Sequence, residues 1–264
     1  MLGAVIGDIV GSRFEWNNYK KKDFEFFNEK CRFTDDTVMS AAVCDTLLKY
    51  KNKENLSEYA VKSMQKIGRQ HITCGYGKRF LAWLISNNPL PYNSYGNGSA
   101  MRVSACGFVA DSLQESKFLS NEVTKITHNH SEGIKGAESV AAAVFMAKSG
   151  ESMENIKKYI NENYYYIDFT LDEIRQNYSF DVSCQGSVPQ AFEAFFESGN
   201  FEDCIRNAVS VGGDSDTIAA IAGGIAEAYY GIPQSLREKA ITYLDKDIYN
   251  IFMEFEKKYT PKII

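Results

Sequence analysis

The spacing of apolar residues is helical through most of this chain. Ala41 and Ala42, for example, lie three and four residues after Val38, as on the buried face of an amphipathic helix. Strand-like alternation is scarce, so the pattern predicts an all-α fold. The predicted helices span 36–50, 56–70, 78–86, 100–110, 134–148, 152–163, 188–198, 201–210, 216–230, 234–245 and 247–258.

One predicted helix is apolar on all sides. Residues 218–230 are almost entirely Ile, Ala, Gly and Tyr, which predicts a central helix with neighbours all round. Gly223 and Gly224 would weaken this helix by about 1 kcal/mol each relative to Ala, so we interpret them as points where another helix approaches closely. No linker or internal repeat divides the chain, and we predict one domain over 1–264.

Charge and composition exclude several classes of partner. Lys and Arg total 29 against 34 Asp and Glu, a net charge of −5, so no basic field is available for nucleic acid or an anionic membrane. The six cysteines form no C-x-x-C pair and suit a reducing compartment. The apolar start is interrupted by Asp8 and has no basic flank, and no apolar run reaches the ~18 residues of a membrane span. We therefore expect a cytoplasmic protein.

Two acidic clusters raise the question of charge balance. Each combines two carboxylates with threonine at a predicted helix start: residues 34–37 read Thr-Asp-Asp-Thr, and residues 214–217 read Asp-Ser-Asp-Thr. Residues two apart on a helix face different ways, so Asp214 and Asp216 can serve one ion only from the turn that begins the helix. Clustered carboxylates repel one another unless a cation lies among them.

The donor atoms in these clusters favour a hard metal ion. Carboxylate and hydroxyl oxygens suit Mg²⁺, Mn²⁺ or Ca²⁺ rather than zinc or copper, and the three histidines form no zinc pattern. If both clusters meet, they suit two ions about 3.5–4 Å apart. Either cluster alone could simply cap its helix, and it is the presence of both that favours a metal centre.

Further motifs occur in a fixed order around these clusters. They are Gly7-Asp8, Gly11, Phe14-Glu15, Phe33 before the first cluster, Gly75-Tyr76-Gly77, Ser-Tyr-Gly-Asn-Gly-Ser-Ala-Met-Arg at 94–102, Thr-His-Asn-His at 127–130, and Gly212-Gly213 before the second cluster. In these motifs, over roughly residues 3–231, the chain resembles the ADP-ribosylglycohydrolases, relatives of the dinitrogenase reductase-activating glycohydrolase. The resemblance implies a single-domain orthogonal all-α bundle with a dinuclear Mg²⁺ or Mn²⁺ centre in a cleft.

The resemblance also implies roles for individual residues. The implied metal ligands are Thr34, Asp35, Asp36, Asp214, Asp216 and Thr217, with Asp35 and Asp36 also counted as catalytic. Glu15 matches an acidic residue on the family's mobile first loop, from which we expect proton transfer or gating. The implied contacts to ADP-ribose are Gly75, Tyr76, Gly77, Ser94, Tyr95, Asn97, Gly98, Met101 and His128. Met101 is expected to pack beneath the site and Arg102 to pair with an internal acid.

Several of these residues have plainer interpretations. Glu15 could be a surface acid, the glycines at 75 and 77 could form an ordinary turn, and His128 could serve only as a hydrogen-bonding group. The aromatic residues between 164 and 180 could stack an adenine ring or pack a loop on the bundle. We assign that segment no role.

The implied reaction is hydrolysis of the bond between the distal ribose C1 and the acceptor of an ADP-ribosylated target. Family members act on arginine-linked, serine-linked or poly-ADP-ribose, and on small esters. The Thr-His-Asn-His motif with the residues after it is closer to the arginine-directed members. Two alternatives stay open, namely an inactive sensor of ADP-ribose and a metal-dependent phosphoesterase that cleaves the diphosphate.

Overall fold

Helices make up almost all of the regular structure in residues 1–50 and 53–259, the part of the chain that this computed structural model describes. Within these residues no strand forms, although Gly96 and Ser183 make an isolated antiparallel bridge. The all-α prediction is confirmed. The helices are α1 (Leu2–Gly11), α2 (Asp35–Lys49), α3 (Leu56–Gln70), α4 (Lys78–Ile85), α5 (Ser104–Val109), α6 (Leu113–Thr124), α7 (Ser131–Lys148), α8 (Met153–Asn163), α9 (Leu171–Arg175), α10 (Cys184–Phe196), α11 (Phe201–Val211), α12 (Ser215–Tyr230), α13 (Gln234–Ile241) and α14 (Lys246–Tyr259), with 3₁₀ turns at Lys53–Asn55 and Asn97–Ser99.

The predicted helices are present, with shifted ends. The helix predicted at 100–110 begins only at Ser104, because the chain before it forms the 3₁₀ turn. The helix predicted at 188–198 begins earlier, at Cys184, where the Ser183 side chain accepts a hydrogen bond from Gly186 N. Helices α1, α6 and α9 were not predicted. All ten residues of α1 are buried, so its sequence lacks the polar face on which helical periodicity depends.

Helix α12 is the central helix, as predicted, and packs against α1, α7, α10 and α11. Glycines let α1 approach it closely: a Cβ on Gly7 would lie 2.0 Å from Ala219 O, and one on Gly3 would lie 2.3 Å from Gly223 O. The interpretation of Gly223 as a point of close approach is therefore confirmed. The end of α1 reaches the second acidic cluster, where a Cβ on Gly11 would lie 2.5 Å from Asp216 Cα.

The buried apolar side chains of the described residues form one contiguous cluster. The six cysteines are free, and all but the half-buried Cys74 are buried, as expected of small apolar side chains. None of the helices in residues 1–50 and 53–259 combines the length and apolarity needed to cross a membrane. The one-domain boundary of 1–264 stays a prediction.

Candidate active site

Both acidic clusters lie at helix starts, and the fold brings them together. Thr34 is the N-cap of α2 and Asp214 is the N-cap of α12. The Thr217 hydroxyl donates a 3.2 Å hydrogen bond to Asp36 Oδ2, which joins the two clusters directly. Two sets of carboxylates each place oxygen atoms within 4.8 Å of one another: Asp8 with Asp36 and Asp216, and Glu15 with Asp214 and Asp216.

This arrangement concentrates negative charge in a buried place. Burial, followed by the neighbouring carboxylates, raises the pKa of Asp35 to about 8. The same causes raise the pKa of Asp36 and of Asp216 well above the usual value of an aspartate. The charges that act most strongly on these three carboxylates come from other acids. Such a site favours bound protons or a bound cation.

The donor set fits a hard divalent cation. Asp36 Oδ1 is buried and has no hydrogen-bond partner among the residues that the structure describes. A buried carboxylate oxygen without a partner is costly, and coordination to an ion would satisfy it. The other available donors are carboxylate and hydroxyl oxygens, which are the preferred ligands of Mg²⁺ and Mn²⁺.

Asp8 holds the first cluster in place, a role that the sequence analysis missed. Its fully buried carboxylate accepts hydrogen bonds from Thr34 N at 2.9 Å, Thr34 Oγ1 at 2.7 Å and Thr37 N at 3.0 Å. The Thr37 hydroxyl also donates to it. The sequence feature that could have indicated this role is the single carboxylate of Asp8 within the apolar residues 1–10. Thr34 itself is turned towards Asp8 and does not line the adjoining cavity.

A cavity of about 440 Å³ opens at the acidic clusters, and its charged lining divides into two groups. The acidic group consists of Glu15, Asp35, Asp36, Asp214 and Asp216, beside Thr217. The basic group consists of Lys78, Arg79 and Arg102, beside His128. A ligand with both polyol and anionic parts would match such a division.

The glycine loop at 75–77 borders the first acidic cluster, with Cys74 O accepting a 2.8 Å hydrogen bond from Asp35 N. Gly75 adopts φ +104°, a conformation that side chains rarely allow. Gly75 and Gly77 line the cavity, and α4 begins directly after them. Tyr76 does not line it, because its ring is buried and packs 5.5 Å from Phe80.

The loop at 94–102 lines another side of the cavity. Asn97 donates a 2.7 Å hydrogen bond from Nδ2 to Asp214 Oδ2, so its amide is bound to the second acidic cluster. Tyr95 is 49% exposed, lies outside the lining and packs its ring 5.3 Å from His130. The remaining predicted contacts on this loop that line the cavity are Ser94, Gly98 and Met101.

The prediction that Arg102 pairs with an internal acid is wrong. Its Nη2 donates to Val123 O at 3.1 Å and to Thr127 Oγ1 at 2.8 Å, and no carboxylate of the described residues bonds to it. The helix end that carries Val123 and the turn after it offer oxygen acceptors at the position where an acid was expected. Because the guanidinium is fully buried, its pKa falls to about 10.

An exposed aromatic pair at the cavity was also missed. Trp16 is 74% exposed and stacks on Phe180 with ring centroids 5.0 Å apart and planes at 20°. Both rings line the cavity, as does the neighbouring Glu15. Burial and the charge of Asp214 raise the pKa of Glu15 to about 7. Phe180 belongs to the aromatic segment to which the sequence analysis assigned no role.

The chain is similar in sequence and in fold to several known proteins. A family model described as ADP-ribosylglycohydrolase matches residues 1–260. The chain is 28% identical to ADP-ribosylhydrolase ARH3 of Homo sapiens, over 94% of this chain and 90% of that protein. It is 26% identical to ADP-ribosylarginine hydrolase Tri1 of Pseudomonas putida, over 88% and 70% of the two chains. A solved ADP-ribosylglycohydrolase-related protein complex matches 98% of this chain and 96% of its own, with a TM-score of 0.69 and 20% identity, which bears on the fold alone.

Proposed function

Because the chain belongs to the ADP-ribosylglycohydrolase family, we propose that it is a metal-dependent hydrolase that removes ADP-ribose from a modified protein or small molecule. The observation that carries this proposal is the meeting of the two acidic clusters in a cavity that also has a basic group. The acidic group suits a cation and the ribose hydroxyls, and the basic group suits a diphosphate. In the reaction the oxygen of water bonds to the distal ribose C1 as the bond from C1 to the acceptor breaks.

The proposed cofactor is a pair of Mg²⁺ or Mn²⁺ ions. Their proposed ligands are Thr34, Asp35, Asp36, Asp214, Asp216 and Thr217, as the resemblance implies. The free Asp36 Oδ1 supports this set, and Thr34 Oγ1 keeps a lone pair while it donates to Asp8. Bound divalent ions would supply Lewis-acid chemistry that polarises the ribose hydroxyls and a water.

Glu15 is the proposed proton carrier, and the proposed catalytic set is Glu15 with Asp35 and Asp36. Its carboxylate is half-buried beside Asp214, and a pKa of about 7 allows it both to take up and to release a proton near neutral pH. It would accept a proton from the attacking water, and the departing acceptor atom would then take up a proton. Replacing it by glutamine removes this exchange while keeping the size of the side chain.

The nucleotide end of the substrate is assigned to the basic group. Gly75 and Gly77 leave room at the cavity wall, and the first N–H groups of α4 follow them with Lys78 and Arg79. A helix start with glycine before it suits phosphate oxygens. The further proposed contacts to ADP-ribose are Tyr76, Ser94, Tyr95, Asn97, Gly98, Met101 and His128, of which Tyr76 and Tyr95 would need to turn towards the cavity.

Arginine is the proposed acceptor. Trp16 and Phe180 present an exposed aromatic face beside the Glu15 carboxylate. A planar guanidinium stacks on such a face and is attracted to a nearby carboxylate, whereas a serine side chain gains from neither. The name of one relative, the Pseudomonas putida ADP-ribosylarginine hydrolase, is in line with this choice.

The acceptor is tested by initial rates on arginine-linked and serine-linked ADP-ribosyl peptides with Mg²⁺ or Mn²⁺. We expect faster hydrolysis of the arginine-linked peptide, and Trp16→Ala should reduce that preference about two- to fivefold, the value of a cation–π contact at an exposed site. Tyr166→Ala is the matched control, because this ring is 76% exposed and lies outside the cavity lining. Faster cleavage of the serine-linked peptide would contradict the arginine proposal.

The same assay tests Glu15 and the two other functions. Glu15→Gln should slow turnover at least tenfold while metal affinity, measured by calorimetry, persists. Release of AMP would indicate a phosphoesterase, and binding without release would indicate a sensor. Unchanged turnover in Glu15→Gln would remove this residue from the mechanism.

A further inference from the structure

A buried chain of hydrogen bonds connects Arg102 to the cavity. Arg102 Nη2 donates to Thr127 Oγ1 at 2.8 Å, and Thr127 Oγ1 lies 2.7 Å from His128 Nδ1. These three side chains are 0–5% exposed. The other ring nitrogen, Nε2, faces the space that Gly96 and Gly98 leave open, since a Cβ on either glycine would lie 3.5–3.6 Å from it.

Only one proton arrangement suits this chain of bonds well. A guanidinium N–H can only donate, so Thr127 Oγ1 accepts from Arg102. The single hydroxyl proton of Thr127 then has two possible acceptors, His128 Nδ1 at 2.7 Å and Thr124 O at 3.4 Å. The shorter distance favours Nδ1. A proton on Nδ1 would instead aim a second donor at the oxygen that already accepts from a cation.

We propose that Arg102, acting through Thr127, holds His128 as the neutral tautomer with its proton on Nε2, so that the ring presents a hydrogen-bond donor to the cavity. Arg102 and Thr127 are then positioning residues. Burial, with Arg102 and Arg79 nearby, lowers the pKa of His128 well below its usual value, which agrees with a neutral ring. The assignment follows from the bonding pattern of the heavy atoms.

This tautomer explains why Arg102 is buried without an acid. A carboxylate at Nδ1 would make the ring more basic and favour a charged imidazolium, whereas a hydroxyl polarised by a cation donates to Nδ1 and leaves the ring neutral. A neutral N–H donor suits an acceptor oxygen such as that of a phosphate. That the acceptor is the diphosphate of ADP-ribose rests on the proposed function, but the tautomer does not.

The test is long-range ¹H–¹⁵N NMR of the whole protein with ¹⁵N-labelled histidine at pH 7.5. The chain has three histidines, so His71→Gln and His130→Gln variants assign the His128 signals. We expect a protonated Nε2 and an unprotonated Nδ1 in the wild type, and the same pattern in Thr127→Ser, which keeps the hydroxyl. In Thr127→Val, which lacks it, both nitrogens should shift towards averaged values.

Calorimetry with ADP-ribose gives a second readout. Thr127→Val should weaken binding about tenfold, the equivalent of one hydrogen bond, and Thr127→Ser should restore it. A proton on Nδ1 in the wild type overturns the proposal even if Thr127→Val does not fold, and so does an unchanged pattern in a folded Thr127→Val. If ADP-ribose fails to bind the wild type while Nε2 is protonated, the proposed function fails and the tautomer stands.

Discussion

The Asn97 side-chain amide donates a 2.7 Å hydrogen bond to Asp214 Oδ2, so the loop that lines the cavity holds one member of the second acidic cluster. Both groups are buried. Burial raises the pKa of Asp214, and this hydrogen bond opposes the rise by favouring the ionised carboxylate. The orientation of a proposed metal ligand therefore depends on a residue from a distant part of the chain.

Asn97→Ala should lower both metal affinity and turnover by about tenfold, because a hydrogen bond to a charged group is lost. Calorimetric titration of metal-free protein with Mn²⁺ measures the first effect and peptide hydrolysis the second. Asn121→Ala is the control, since its amide contacts Glu138 at 3.4 Å, away from the cavity lining. Equal metal affinity in wild type and Asn97→Ala would contradict the role given to this bond.

Asp8→Asn should weaken metal binding, although Asp8 itself does not line the cavity. Asparagine keeps the size of the side chain, but its NH₂ would face the N–H and hydroxyl donors of Thr34 and Thr37. We expect a loss of about 3 kcal/mol in the free energy of unfolding together with at least a tenfold loss of metal affinity.

The control for Asp8 is another buried aspartate. Asp45 accepts a 2.6 Å hydrogen bond from Ser63 Oγ and pairs with Lys49, so Asp45→Asn should also lose stability while its metal affinity stays the same. Urea unfolding and Mn²⁺ titration are measured on both variants. The same loss of metal affinity in both would show that Asp8 acts only through stability.

Gly7→Ala tests the contact between α1 and α12. Its Cβ would lie 2.0 Å from Ala219 O, which forces two helix backbones apart, and we expect a loss of at least about 2 kcal/mol in the free energy of unfolding. Gly199→Ala is the control, because a Cβ there meets nothing within 4 Å. Similar urea midpoints for the two variants would mean that the helices do not lie this close.

The stability of the metal-free protein should depend on pH through the buried carboxylates. Burial raises the pKa of Asp35 to about 8 and the pKa of Asp216 well above its usual value, whereas the unfolded chain titrates near pH ~4. Between these limits the folded state binds more protons, so the free energy of unfolding rises as the pH falls from 8 towards 4.

The measurement is the melting temperature of chelator-treated protein at pH 8 and at pH 5.5. The increase in melting temperature from pH 8 to pH 5.5 should be larger in wild type than in Asp216→Asn, which has no titrating group at this position. Saturating Mg²⁺ should reduce this increase in the wild type. The comparison with the variant removes the contribution of carboxylates elsewhere, such as Glu256, whose pKa is lowered. An identical pH dependence of the melting temperature in both proteins would contradict a raised pKa of Asp216 in the metal-free protein.

The sequence predicted those features that local rules determine. Capping chemistry placed Thr34 and Asp214 at helix starts, and the cost of glycine in a helix pointed to the close approach at Gly223. Helix α1 was not predicted, because a helix buried on every side shows no contrast between an apolar and a polar face.

Other features depend on contacts between distant segments. The sequence does not specify that Asp8 meets Thr34, that Tyr76 turns into the core or that Arg102 reaches carbonyl and hydroxyl oxygens. Each of these side chains takes its direction from a partner on another element, which periodicity and motif spacing do not encode. The pairing of Trp16 with Phe180 is of the same kind.

The central claim is that the joined acidic clusters hold metal ions that are needed to hydrolyse the bond at the distal ribose. The most direct measurement is mass-spectrometric identification of the product formed from an ADP-ribosyl-arginine peptide by chelator-treated protein, before and after Mg²⁺ or Mn²⁺ is restored. We predict free ADP-ribose and unmodified peptide only after metal is restored. Release of AMP, or the same yield of ADP-ribose in the presence of chelator, would contradict the account.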